Sequence, residues 1–349
     1  MNNNTLSSKK LILFMSTSNI FIVNLIGLSR LFNKFTNNAW IVVFLIFLSN
    51  LILFIPFKGL PKGINLLKKI KNNKFIKLLI LIYLLFSITL NTLIVSFTIN
   101  KFFYFNSSVL ITCLVILITG LIISKESLNK IITINIVFFI MIIPFYLIPF
   151  THIEERDFSL LLPIYLKSLD LIYAFPLLMF PLEHLIHGIF CDQMENGFEK
   201  KSIILSFLFE GLYIFLIMID AQTLIGANFY VDMEYPGVFR WLIYQGNKFI
   251  ENYDIFLLII IIVTYIFKLS FYLFALRNIL FKKINIKTYS FLFIIIFILI
   301  SLIYSINNKL NIISNIYLYS SHFILLSLYC YFTYISHKVS KTKETKYYG

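Results

Sequence analysis

Tyr173-Ala174-Phe175-Pro176-Leu177-Leu178-Met179-Phe180-Pro181-Leu182-Glu183-His184-Leu185-Ile186-His187 is an apolar stretch carrying two prolines, one carboxylate and two histidines. Pro176 and Pro181 each remove a backbone donor, so a helix through this stretch is expected to break. In a bilayer such a break is tolerated only where protein buries it or water lines it. Glu183 lies two residues after the second proline, and an ionisable group inside an apolar span is a functional candidate by default. The stretch therefore reads as an interrupted membrane helix with a charged group at its interruption.

The rest of the chain supports a membrane setting. Its 349 residues are 59% hydrophobic and 13% charged, against roughly 25% charged in a soluble domain. Runs of about 20 apolar residues, the length that crosses the hydrocarbon core, recur ten times. They are approximately 10–28, 39–57, 75–97, 106–123, 131–150, 168–190, 202–227, 254–276, 290–306 and 316–336. The class is all-α integral membrane, in a single polytopic domain. Lys9 and Lys10 before the first run resemble a signal peptide, but no small-x-small site follows, so the run reads as a retained span.

The formal charge is +14. Its Lys and Arg residues lie between apolar runs rather than along one face, which fits membrane orientation and not nucleic acid. With the N-terminus inside, 21 of them fall on the inner side. The outer side holds Arg30, Lys34, Lys101, Arg156, Lys167, Arg240, Lys248 and Lys309, and Lys268 lies within a span. Both termini are thereby expected in the cytoplasm, with a Lys-rich tail over 337–349 and a loop from Lys58 to Lys77 that can meet anionic membrane lipid. The simpler reading of the Lys-rich loops is a topology signal.

The first run also carries polarity at its centre: Ser16, Thr17, Ser18, Asn19 and Asn24. Interrupted helices at positions one and six are the pattern of a LeuT-like fold, two inverted repeats of five helices with a site at the midplane. The repeats would cover about 10–150 and 168–336. Freed N–H groups and half-helix dipoles there can hold a small anion.

Depth follows from 1.5 Å per residue. Glu210, Lys268 and Glu183 fall at roughly 12, 13 and 10 Å from the inner ends of their spans, in one layer. A lysine paired with one or both carboxylates lowers the cost of burying each. A purely structural Glu210/Lys268 pair is the simpler alternative. Asp220, about 27 Å along its span, reads as solvated at the outer interface. His184 and His187 read as interfacial residues near the cytoplasmic end, with a proton relay as the less ordinary alternative. Intramembrane Ser, Thr and Asn ordinarily bond to helix backbone.

Several pieces together resemble the GerAB-type spore germination permeases, the membrane-embedded B subunits of nutrient germinant receptors within the amino acid/polyamine/organocation (APC) permease superfamily. These are Leu6-Ser7 with Lys10, Ala39-Trp40, Phe180-Pro181-Leu182-Glu183, Gly226, Tyr235-Pro236-Gly237-Val238-Phe239-Arg240, Ile250-Glu251-Asn252-Tyr253-Asp254 and Phe267-Lys268-Leu269-Ser270. The pattern runs from Leu6 to about Leu280. It departs from the family at Ser18-Asn19 and Pro181, where glycine is usual, and at Asn252, where arginine is common.

The resemblance implies a ten-helix permease fold in the inner membrane of a spore. It also implies assembly with A and C subunits and recognition of a small nutrient such as an amino acid. Expected ligand-binding residues are Ser18, Asn19, Phe180, Glu183, Tyr83, Ser87 and Thr264, with a charge network of Glu183, Glu210 and Lys268. The rival function is a proton-coupled amino-acid transporter of the same fold. A third class is a membrane enzyme, a polysaccharide polymerase using His152, Glu154, Glu155 and Arg156, although that loop reads equally well as a solvated turn.

No enzyme activity, catalytic residue, cofactor or metal is expected. Cys113, Cys191 and Cys330 are scattered without ligand spacing. No phosphate-binding glycine loop occurs.

Overall fold

Long apolar segments form helices here because a helix satisfies its own backbone donors and acceptors where water cannot. The computed structural model describes residues 7–18, 25, 27–53, 66–103, 107–147, 156–162, 182–190, 200–231, 233, 235–243, 254–281, 286–306 and 310–347. Asn19, Pro176, Phe180, Pro181, His152, Glu154, Glu155 and Cys191 lie outside them. No strand occurs among the described residues.

The first part of the chain contains α1 (Ser8–Ser18), α2 (Leu28–Phe35), α3 (Ala39–Leu53), α4 (Leu66–Asn72), α5 (Lys74–Phe102), α6 (Val109–Ser124) and α7 (Leu128–Leu147). A 3₁₀ turn at Thr36–Asn38 joins α2 to α3, and another spans Phe158–Leu161. The remaining helices are α8 (His184–Gly188), α9 (Lys200–Ile225), α10 (Ala227–Tyr230), α11 (Pro236–Ile243), α12 (Asp254–Leu280), α13 (Ile286–Ile306) and α14 (Leu310–Tyr347).

Among the described residues, five helical segments are long and apolar enough to cross a membrane: Leu31–Leu48, Lys74–Phe102, Ile204–Ile225, Ile255–Leu280 and Thr288–Ser305. Val109–Ser124 and Leu128–Met141 are shorter apolar helices. The described helices overrun several sequence-predicted ends. Asn73 caps α5 by accepting from the Ile76 N–H at 3.2 Å, which starts that helix among lysines. α14 continues to Tyr347, through most of the segment expected as a tail.

α5 and α12 form the centre. α12 packs against α5, α6 and α7, while α13 and α14 lie along α5. α9 packs against α1 and α3, and α1 also reaches α7 and α12. Close approach of α3 and α9 depends on Gly211, where a Cβ would run into the Phe47 ring. α9 ends at Gly226, whose φ of +89° is costly for any residue with a side chain. Hydroxyls inside the central helices are satisfied locally: Thr92 donates to Ile88 O at 2.6 Å and Thr98 to Ile94 O at 2.8 Å.

Candidate functional site: a carboxylate enclosed by tyrosines and a lysine

Helical spacing builds two facing stripes. Tyr83, Ser87 and Asn91 recur every fourth residue on α5, as do Thr264, Lys268 and Tyr272 on α12. Glu183, immediately before α8, lies at their meeting point and is fully buried. Its Oε2 accepts from Lys268 Nζ at 2.6 Å. Its Oε1 accepts from the hydroxyls of Tyr83 and Tyr272, with Tyr317 of α14 at 3.4 Å. Asn91 Nδ2 donates to Tyr317 at 3.2 Å, and the Tyr83 and Tyr272 hydroxyls are 3.3 Å apart.

This arrangement meets the requirement for charge away from water: each ion is paired, and the remaining lone pairs carry hydrogen bonds. Lys268 also lies 5.5 Å from the centroid of the Tyr272 ring, within the range of cation–π attraction. Four separate parts of the chain meet on one carboxylate.

A second pair adjoins the first. His184 Nε2 is 2.6 Å from Glu210 Oε2 of α9, and both side chains are buried. Of the two carboxylates expected around Lys268, Glu183 takes the ammonium and Glu210 takes His184. Three residues further on, the His187 ring stacks on Phe271, with centroids 4.7 Å apart, and meets Phe14 edge-on. His184 and His187 are therefore core residues and not interfacial ones, because α8 is enclosed between α14 and the aromatic rings of α1 and α12.

The other expected ligand residues are placed as follows. Ser87 is fully buried one turn beyond Tyr83. Ser18 and Thr264 are buried, and each hydroxyl donates to its own helix: Ser18 to Met15 O at 2.8 Å and Thr264 to Ile260 O at 2.6 Å. Asn19 and Phe180 lie outside the described residues. Tyr272 and Tyr317 were not anticipated from sequence. Tyr272 carried a usable signal, standing four residues after a lysine within an apolar run; Tyr317 carried none, being one of 21 tyrosines.

Asp220 corrects the sequence reading of a solvated carboxylate. It is fully buried, paired with Arg156 at one oxygen and with Arg240 Nη1 at 3.0 Å at the other. Arg156 is accordingly part of a buried clamp and not of a solvated turn. Arg240 Nη1 is also 3.3 Å from Ile217 O, to which it donates. Residues 156–162 lie as a strap over the end of α9. The Asp157 N–H donates to Thr223 O at 3.0 Å, Gln222 Nε2 to Leu160 O at 3.2 Å, and Trp40 Nε1 to Leu161 O at 3.4 Å. The Asp157 carboxylate accepts from the Ser159 N–H at 2.9 Å, and hydrogen bonding by Ser159 holds that carboxyl below its ordinary range.

Among the described residues no group of three or more His, Cys, Asp or Glu is placed to hold a metal ion. The carboxylate, ammonium and phenols of the Glu183 centre can recognise charge and exchange protons. No protein-family model matches the chain, and no curated protein matches it.

Proposed function

We propose that this chain is the nutrient-sensing membrane subunit of a spore germinant receptor. In this reading it has the ten-helix, five-plus-five inverted-repeat fold, has both termini in the cytoplasm and sits in the inner membrane of the spore or cell. A small nutrient of the amino-acid class binds at mid-depth beside Glu183, and A and C subunits read the resulting shift in conformation. The observation that carries the reading is the Glu183 centre. A fully buried carboxylate held by one lysine and tyrosines from three helices is costly to assemble in an apolar interior, and ionisable groups kept there usually serve binding or transport.

Sensing requires that ligand bind one conformer better than another. Glu183 joins α8 to α5, α12 and α14, so any ligand that alters its bonding alters the packing of those four elements. Tyr83, Ser87 and Thr264 border this centre by spacing, and Ser18, Asn19 and Phe180 complete the proposed lining.

The test is a germination dose response across a nutrient panel in a deletion strain restored with the wild-type gene, Glu183→Gln or Lys268→Met. Loss or retuning of the response at normal protein level is expected. An unchanged dose response in both variants overturns the site.

A second reading, a proton-coupled amino-acid transporter of the same fold, draws on the His184–Glu210 pair, since buried His and Glu in hydrogen-bond contact can pass a proton. Proton-dependent uptake of labelled amino acid into vesicles holding this chain alone favours transport. Dependence on co-expressed A and C subunits favours sensing.

A further inference from the structure

In the described conformation the Glu183 centre is closed. Glu183, Lys268, Tyr83, Tyr272 and Tyr317 are each at most 1% exposed. A ligand reaches either charge only if the Glu183–Lys268 contact opens. Once it opens in an apolar interior, the carboxylate and the ammonium each need a new counter-charge, because a stranded buried ion is strongly unfavourable. Among the described residues the other buried charges have partners of their own: Glu210 faces His184, Asp220 faces Arg156 and Arg240, and Arg277 donates to the Tyr289 hydroxyl and Glu126 O.

Resting on the nutrient-site reading above, we propose that the Glu183–Lys268 pair is an internal stand-in for its ligand, and that the ligand is a small zwitterion that takes the place of each partner for the other. Its ammonium takes the position of the Lys268 Nζ at Glu183, and its carboxylate takes the position of the Glu183 carboxylate at Lys268. One ion pair becomes two, and no buried charge is left over. A ligand with only an amine strands Lys268, whereas one with only an acid strands Glu183.

The tyrosines suit this exchange. A phenol can donate or accept, and either hydroxyl of the Tyr83–Tyr272 contact can act as the donor. The hydroxyls that stabilise Glu183 in the closed state can turn toward a bound carboxylate without moving the rings. Opening also separates α8 from α12, so occupancy and helix position are linked by the same bond.

The experiment uses the purified full chain in lipid nanodiscs, with binding measured by calorimetry. The twenty common L-amino acids are screened first, then the amide and the 2-hydroxy acid of the tightest binder. Each single-charge analogue is expected to bind roughly thirtyfold more weakly or worse, the cost of leaving one buried charge unpaired. The ranking of the two analogues is expected to depend on the variant. Glu183→Gln favours the hydroxy acid over the amide, and Lys268→Met favours the amide over the hydroxy acid.

Exchanging the two charges (Glu183→Lys with Lys268→Glu) should keep zwitterion binding. If a single variant does not fold, the wild-type analogue series decides alone. An amide or hydroxy acid that binds wild type as well as the amino acid does overturns the exchange while leaving a nutrient site in place. Failure of every amino acid to bind overturns the nutrient reading as well.

Discussion

Glu183 and His184 are adjacent in the chain, yet each closes a different buried contact: Glu183 with Lys268 of α12 at 2.6 Å, and His184 with Glu210 of α9 at 2.6 Å. Two consecutive residues thus tie this segment to two different helices, α12 and α9. A small rotation of this short segment would strain both contacts.

Removing one partner of the central pair is expected to be much worse than removing both. Lys268→Met should cost about 3–5 kcal/mol, because it leaves the Glu183 carboxylate buried with hydroxyl donors only. Combining it with Glu183→Gln should restore much of that loss. Thermal unfolding of the purified chain, read as a double-mutant cycle, measures the coupling. Additive losses would remove the pair from the account of stability.

Tyr83→Phe and Tyr272→Phe each delete a hydroxyl that donates to the same carboxylate oxygen. Each should destabilise by about 1.5–3 kcal/mol, as expected for a hydrogen bond to a charged group. The double variant should lose more than the sum, since in each single variant the remaining donor tightens onto Oε1, and the double variant has no such compensation. Equilibrium unfolding of the three variants tests this.

Asp220→Ala is expected to release the strap. It leaves the Arg156 and Arg240 guanidiniums without their shared carboxylate, a loss of about 3–5 kcal/mol. Backbone amide exchange across residues 156–162 should accelerate, while exchange in α5 stays slow. Uniform acceleration of both regions would show global unfolding instead of a local clamp.

Gly211→Ala should be rescued by shortening Phe47. An added methyl at Gly211 meets the Phe47 ring and forces α3 and α9 apart, whereas Phe47→Leu opens room for it. Folded yield and unfolding temperature of the single and double variants check the pairing.

The turn at Phe158–Leu161 should weaken in acid. Asp157 is held below its ordinary carboxyl range by Ser159, so its contribution is present above that ordinary range and is lost as pH falls through the depressed value. Asp157→Asn should flatten this dependence, seen as amide exchange at Ser159 against pH.

The sequence by itself determined the class of molecule. Hydrocarbon-length apolar runs force self-satisfied helices, and the intramembrane positions of Glu183, Glu210 and Lys268 mark them as groups needing partners. It also brought Tyr83 and Glu183 into one candidate site. Only the tertiary structure decided which partner each charge has. Depth along a helix can be counted from sequence, but lateral neighbours depend on how helices rotate and pack. For that reason Lys268 meets Glu183 while Glu210 meets His184, Tyr317 reaches the centre from a helix more than a hundred residues away in sequence, and Asp220 lies buried between two arginines rather than in water.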